Sequence, residues 1–230
     1  MAITNRKRVS SDRAACIKPK KLSMTPSHRL DRPGIYGITI PKSTRQIRME
    51  LHGAGGAGGG GWDIHHCNLN AGGGGGSGGY TTKVIQLDGE TTQALSVVVG
   101  RGGQGSPGVG EGGGDTVVSL GADEVACATG GMGGGPYGTQ VGAGGSHGVP
   151  AGQRGCDGMT YTQYMALNPR PAPYIGAVGK GGAAPSGGAG GAGAWNGSGH
   201  EGYTPGGGGG GGTAAVGAAG AHGQALIWFT

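Results

Sequence analysis

The chain has 230 residues, 62 of them glycine, where an ordinary domain carries about 7%. With 5% aromatic and 13% charged residues it has little side-chain volume for a conventional core, and glycine loses more backbone freedom on ordering than any other residue. No strict Gly-x-y period runs through it, which excludes collagen, and no run of eighteen apolar residues marks a membrane-spanning helix.

The formal charge of +5 is unevenly placed. Residues 1–32 hold nine Lys or Arg against Asp12 and Asp31, while the rest of the chain holds eight basic and ten acidic residues. The basic residues are mixed with prolines and isolated apolar residues and form no helix face. We read residues 1–34 as an extended attachment arm. Arg6, Lys7, Arg8, Arg13, Lys18, Lys20 and Lys21 are its contact residues for an acidic neighbour in an assembly, and nucleic acid is not the expected partner. The opening residues lack the apolar run of a secretory signal. Cys16, Cys67, Cys127 and Cys156 form no CxxC pair and read as free thiols of a protein made in a reducing cytosol, although spacing alone leaves one disulfide open.

Residues 35–230 read as one glycine-rich domain. Residues 36–41 (YGITIP) and 46–52 (QIRMELH) predict two strands around a turn at Lys42, Ser43 and Thr44. In the second, Ile47, Met49 and Leu51 alternate with Arg48 and Glu50, the period of a half-buried strand. Residues 80–87 and 94–99 predict a hairpin around Asp88, Gly89 and Glu90. Residues 116–120 and 124–129 flank a turn at Gly121, Ala122 and Asp123, and residues 224–229 (QALIWF) close the chain as a strand. No stretch has the periodicity and caps of a helix. The expected fold is mostly β and irregular: short antiparallel strands, packed polyglycine II-like tracts and essentially no α-helix.

Glycine tracts fill the intervals at 53–61, 72–79, 100–114, 130–148, 176–193 and 206–212. Such tracts can adopt the extended left-handed helix of three residues per turn, rising about 3.1 Å per residue, with no internal hydrogen bonds. If buried, its amides must pair with neighbours. Tracts this short, bracketed by strands that need a fixed register, predict a stack of packed rods and not Gly/Ser linkers.

Three islands of other residues interrupt the tracts: 62–70 (WDIHHCNLN), 154–174, and 195–204 (WNGSGHEGYT). Loops borne on a rigid scaffold are where recognition resides, and aromatics with polar neighbours give large contact area at low entropic cost. Trp62, His65, His66, Tyr161, Tyr164, Tyr174, Trp195, His200 and Tyr203 are therefore the candidate recognition residues. For Trp62 and Trp195 the pattern equally allows a structural role plugging the stack.

Chemical motifs are weak throughout. Residues 100–105 (GRGGQG) spell GxGxxG after a strand, but no helix follows to receive a pyrophosphate, and the pattern arises by chance at this glycine content. Gly179 and Lys180 are followed by Gly181, not by the Ser or Thr of a P-loop. His65, His66 and Cys67 are adjacent on an extended chain, so at most two could face one metal ion, and no zinc spacing accompanies them. Cys67 beside His66 has no nucleophile-elbow context. We expect no catalytic residues, no cofactor, no metal and no enzyme activity.

The ordered series "strand, LHGAGGAGGGG, variable loop, AGGGGGSGGY, strand, VVVGRGGQG, GGGDTVV, ATGG, apolar C-terminal strand" resembles the glycine-rich domain that ends many bacteriophage and prophage tail-fibre proteins. It is also similar to the glycine-rich adhesins at tail-fibre tips. The resemblance implies a virion protein whose loops, carried on packed polyglycine helices, bind lipopolysaccharide or an outer-membrane protein of the host, with the arm held by other tail proteins. It implies no membrane insertion and leaves monomer or homotrimer open. The short basic arm departs from the family's usual shaft, which keeps a baseplate, tail-tip or capsid-decorating structural role as the alternative. A glycine-rich ice-binding or cell-wall protein would call for a flat repeating face and a secretion signal, which the sequence lacks.

Overall fold

A computed structural model describes residues 25–61, 71–88, 93–136, 145–146, 148–158, 166, 179–194, 197–213 and 216–230. Two four-stranded antiparallel sheets lie face to face, and below them the glycine tracts form a lattice of extended rods. One sheet has the order β1 (His28–Leu30), β8 (Gln224–Phe229), β3 (Gln46–His52), β4 (Tyr80–Gln86). The other has the order β2 (Gly34–Thr39), β5 (Ala94–Val99), β6 (Thr116–Leu120), β7 (Asp123–Ala128). Among the described residues there is essentially no helix, as the sequence predicts.

The core between the sheets follows from alternation. Ile47, Met49, Leu51, Ala225 and Ile227 point inward from the first sheet and meet Ile38, Leu95, Val97, Val99, Val118, Ala126 and Ala128 from the second. In β5 the burial alternates strictly, with Leu95, Val97 and Val99 covered and Ala94, Ser96 and Val98 open, because successive side chains leave opposite faces of a strand.

Two of the pairings expected from sequence are corrected. Strands β2 and β3, adjacent in sequence, lie in different sheets, and so do β4 and β5. Each link is therefore a crossing between sheets and not a hairpin turn. The first crossing is held by Ile40 N–H on the Gln93 carbonyl (2.9 Å), by Thr44 N–H on the Pro41 carbonyl (3.2 Å) and by Arg45 N–H on the Thr230 carbonyl (2.8 Å). The buried Ile40 side chain is drawn into the core, which fixes the corner. The β6–β7 hairpin is as expected, with Gly121 in the left-handed region at φ 63°. One strand was not legible: β1, within the stretch read as arm, pairs with β8 through His28–Ile227, Arg29–Leu226 and Leu30–Ala225.

The lattice obeys a rule of three. In residues 53–60, the amides of Gly53, Gly56 and Gly59 donate to the carbonyls of Gly79, Gly76 and Gly73 at 2.8–2.9 Å. Those of Ala54, Ala57 and Gly60 donate to Gly114, Glu111 and Gly108, and those of Gly55 and Gly58 to Ala221 and Ala218. A helix of three residues per turn aims every third amide at the same neighbour, so one rod serves three neighbours with its donors. Its carbonyls serve others: Ala54 and Ala57 accept from Gly131 and Gly134, Gly56 and Gly59 from Gly209 and Gly212, and Gly55 from Gly103. The rods at 71–79 and 206–212 are surrounded in the same way. Every one of these buried backbone groups is thus paired without a sheet ladder.

Only glycine permits the spacing between these rods. A Cβ built on Gly75 would lie well inside 3.0 Å of the Gly56 carbonyl, and one on Gly208 would meet the Gly75 carbonyl likewise. The alanines that do occur in the first rod, Ala54 and Ala57, are three apart and so point the same way, and both are fully buried. Where rods join strands, side chains complete the pairing: Thr116 Oγ1 accepts from Gly100 N–H (3.1 Å), His222 Nδ1 from Gly102 N–H (3.0 Å) and Asp115 Oδ1 from Gly130 N–H (2.8 Å).

Candidate recognition surface

The direction of each rod decides where its loop emerges. Strands β3, β5 and β7 run into the lattice and continue as rods 53–61, 100–105 and 129–135. Rods 71–79, 110–114 and 216–223 return into β4, β6 and β8. At the sandwich end the lattice is cross-linked by Gly53 to Gly79, Ala54 to Gly114, Gly79 to Thr129, Gly78 to Gly206 and Gly223 to Gly100. At the far end the links are Gly60 to Gly108, Gly72 to Gly212, Gly73 to Gly135, Gly74 to Cys156, Cys156 to Lys180, Gly211 to Gly179, and Thr213 to Gly197.

Every interruption of the lattice therefore sorts to one end or the other. The described residues that flank 62–70, 137–144, 159–178, 195–196 and 214–215 all belong to the far layer, together with the turn at Ser106, Pro107, Gly108 and Val109. The returns at Val149–Ala151, at Pro185–Ser186 and at Thr204–Gly206 belong to the sandwich end. Residues 100–114, expected as one tract, are two rods joined by that far-end turn, with Val109 61% exposed at its tip. The signal was available: a Ser-Pro pair inside a glycine run stops the rod.

Of the candidate residues, Trp62, His65, His66, Tyr161, Tyr164, Tyr174 and Trp195 lie outside the described residues, as do the arm residues Arg6, Lys7, Arg8, Arg13, Lys18, Lys20 and Lys21. His200 and Tyr203 are described: the His200 carbonyl accepts from Gly210, next to the far layer, whereas Tyr203 is set apart from that layer. They sit three apart on the rod 197–204, on the flank of the lattice, with their amides donating to Ala192 and Ala189 of one neighbouring rod. Tyr203 is 65% exposed and lies near the sandwich end, where its carbonyl accepts from Gly207.

The backbone of residues 100–105 has no free cradle for an anion. The amides of Gly100, Gly102 and Gly103 are engaged by Thr116, His222 and Gly55. Lys180 and Gly181 likewise lie in a rod. No group of three or more His, Cys, Asp or Glu is placed to hold a metal ion among the described residues. Burial, reinforced by Glu124 and Asp115, raises the pKa of Cys127 and disfavours its thiolate. His52 is buried beside Tyr80, ring centroids 4.7 Å apart, and its Nδ1 has no hydrogen-bond partner among the described residues. Burial lowers its pKa, partly opposed by Glu50.

At the opposite pole an open cavity of about 460 Å³ is lined by Ser27, His28, Pro41, Lys42, Ser43, Thr44, Phe229 and Thr230. Ser27 Oγ accepts from Phe229 N–H (3.2 Å), so residues 1–24 join the domain at this pole. Among the described residues no helix is long and apolar enough to cross a membrane.

Residues 31–230 match the sequence profile of one family, described as a glycine-rich domain. No curated protein matches the sequence.

Proposed function

The chain belongs to the glycine-rich domain family, and from that premise we propose that it is a bacteriophage tail-associated virion protein that recognises the host cell surface. One observation carries the reading: the variable segments leave the lattice at one end, and residues 1–24 join the domain at the other. A body with this polarity holds its partner at one pole and presents its least repetitive residues at the other. Trp62, His65, His66, Tyr161, Tyr164, Tyr174 and Trp195 fall in or beside those segments. Arg6, Lys7, Arg8, Arg13, Lys18, Lys20 and Lys21 belong to the segment that precedes this pole in sequence, and their charge suits an acidic tail component. Lipopolysaccharide or an outer-membrane protein is the receptor class, since aromatic and amide-rich loops suit both sugar and protein surfaces.

The test is binding of purified protein to bacterial envelopes, with residues 159–178 intact or replaced by a short Gly/Ser link. This replacement ends at Gly158 and Gly179, because residues 152–158 are a rod: Cys156 pairs with both Gly74 and Lys180. Binding that is lost with the segment while the melting temperature holds supports the reading. Binding unchanged by the replacement removes this segment from the surface. Absence of binding to any envelope, with retained binding to tail or capsid proteins, favours the structural alternative.

A further inference from the structure

Sheet edges expose unpaired backbone groups, and proteins protect them with charge, bulges, brevity or cover. Three of the four edges here are protected. Strand β1 has three residues and carries Arg29. Strand β4 carries Lys83, opposite the fully buried Met49 and so on the inward face. Strand β7 carries Asp123 and Glu124 and meets a register shift at Val118 and Ser119. Strand β2 has none of these devices. Its six residues, Gly34–Thr39, contain no charge, and Ile35 is 79% exposed.

The register says which groups are free. Ile40 N–H donates to Gln93, so in this antiparallel pair Ile38, Tyr36 and Gly34 are the hydrogen-bonded positions with β5. The N–H and C=O of Ile35, Gly37 and Thr39 point away from the sheet, unpaired among the described residues. The outward side chains continue the uncharged character across the sheet: Ile35 faces Val98, Val98 faces Val117, and Val117 faces Cys127.

We propose that β2 is a pairing edge for a second copy of this chain. A two-fold axis at Gly37 sets Gly37 opposite Gly37 of the second copy and Ile35 opposite its Thr39, so every free donor and acceptor meets its complement in an antiparallel ladder. The match is self-complementary because the free positions are evenly spaced about a glycine, and no like charges meet across the seam. Gly37 leaves open space where a side chain would stand. Antiparallel pairing sends the two lattices in opposite directions, making a continuous sheet of twice the width with a loop-bearing end at each extremity. This inference is independent of what the loops bind.

Sedimentation equilibrium of the full chain should show a species of twice the 22.2 kDa chain mass. Gly37→Pro removes the central outward amide and leaves the β2–β5 ladder intact. It should return a monomer that keeps the wild-type circular dichroism spectrum and whose melting temperature no longer depends on protein concentration, while Thr82→Pro on the β4 edge keeps the dimer. Should Gly37→Pro disturb folding, paired charges test the same register. Ile35→Lys with Thr39→Lys should weaken association about tenfold or more relative to Ile35→Lys with Thr39→Glu, since each Lys then faces either Lys or Glu of the second copy. Gly37→Cys in a Cys156→Ser background should oxidise to a linked dimer joined at position 37, because facing hydrogen-bonded residues lie about 5.5 Å apart, within disulfide reach. A monomer at all concentrations, a trimer, open-ended aggregates, or equal association of the two charge variants would each overturn the proposal.

Discussion

Replacing Gly75 by alanine tests the lattice at its centre. The methyl would be driven into the Gly56 carbonyl, and the Ala57 carbonyl lies close behind it, both backbone atoms of one rod with no rotamer to yield. Overpacking in well-packed interiors costs about 1–3 kcal/mol, and the rigidity of the obstacle puts this case toward the upper end. Alanine also restricts the unfolded chain, which returns about 0.4–1 kcal/mol. The expected net loss is about 2 kcal/mol, equivalent to a fall in Tm of about 4–8 °C for a domain of this size. Two controls separate close approach from glycine's other roles. At Gly37 a methyl meets nothing within 4 Å, so Gly37→Ala should stabilise by about 0.4–1 kcal/mol. At Gly121 space is also open but φ is 63°, so a net loss of about 1 kcal/mol is expected from backbone strain alone. Equilibrium urea unfolding of the three variants, read as shifts in midpoint at constant slope, gives the comparison. If Gly75→Ala falls within about 0.5 kcal/mol of wild type, the rods are not in backbone contact and the account of the lattice fails.

Other outcomes follow from single contacts. Amide hydrogen exchange should be slow in residues 53–60, 72–79 and 206–212, at the level of the core strands; exchange as fast as in free peptide would show the rods unformed. Thr116→Val preserves shape but strips the buried Gly100 amide of its acceptor, and should cost about 1–3 kcal/mol by the same unfolding assay. His52 has a folded-state pKa below its unfolded value of 6.5, so the unfolded chain binds the extra proton. Stability should therefore be full above about pH 6.5 and decline as pH falls below it, a dependence that His52→Asn should flatten in Tm measurements. Cys156, exposed, should react with an aromatic disulfide reagent at neutral pH well before Cys127, whose thiol is raised by burial; equal rates would contradict the placement.

The strands were legible because alternation is a local signal: Ile47, Met49 and Leu51, or Leu95, Val97 and Val99, announce their inward face within six residues. The sheet to which each strand belongs was not. Residues 80–87 and 94–99 have every local mark of a hairpin, but their partners, β3 and β2, lie elsewhere in the chain. Strand β1 escaped because three residues carry no period, and its pairing depends on β8, nearly two hundred residues away. In the lattice, composition announced the rods. Two further rod ends are readable in the sequence at Pro107 and Pro185, prolines that interrupt the tracts 100–114 and 176–193. Of the candidate surface, the sequence marked segments without direction, since chain reversal at each proline decides which end a segment reaches. That parity placed Tyr203 on a flank, although its island begins at the far end.

The rule of three gives the glycine rods something like a reading frame. Adding or removing one residue inside a rod would turn every later amide by a third of a revolution and aim it at the wrong neighbour, while a change of three residues would restore the aim after one further turn. Length variation in this domain is thus confined to two routes: multiples of three within a rod, or any number in the segments beyond its ends. The latter are free to diverge in size and chemistry without disturbing a single rod-to-rod bond, so the frame itself separates what can change from what cannot.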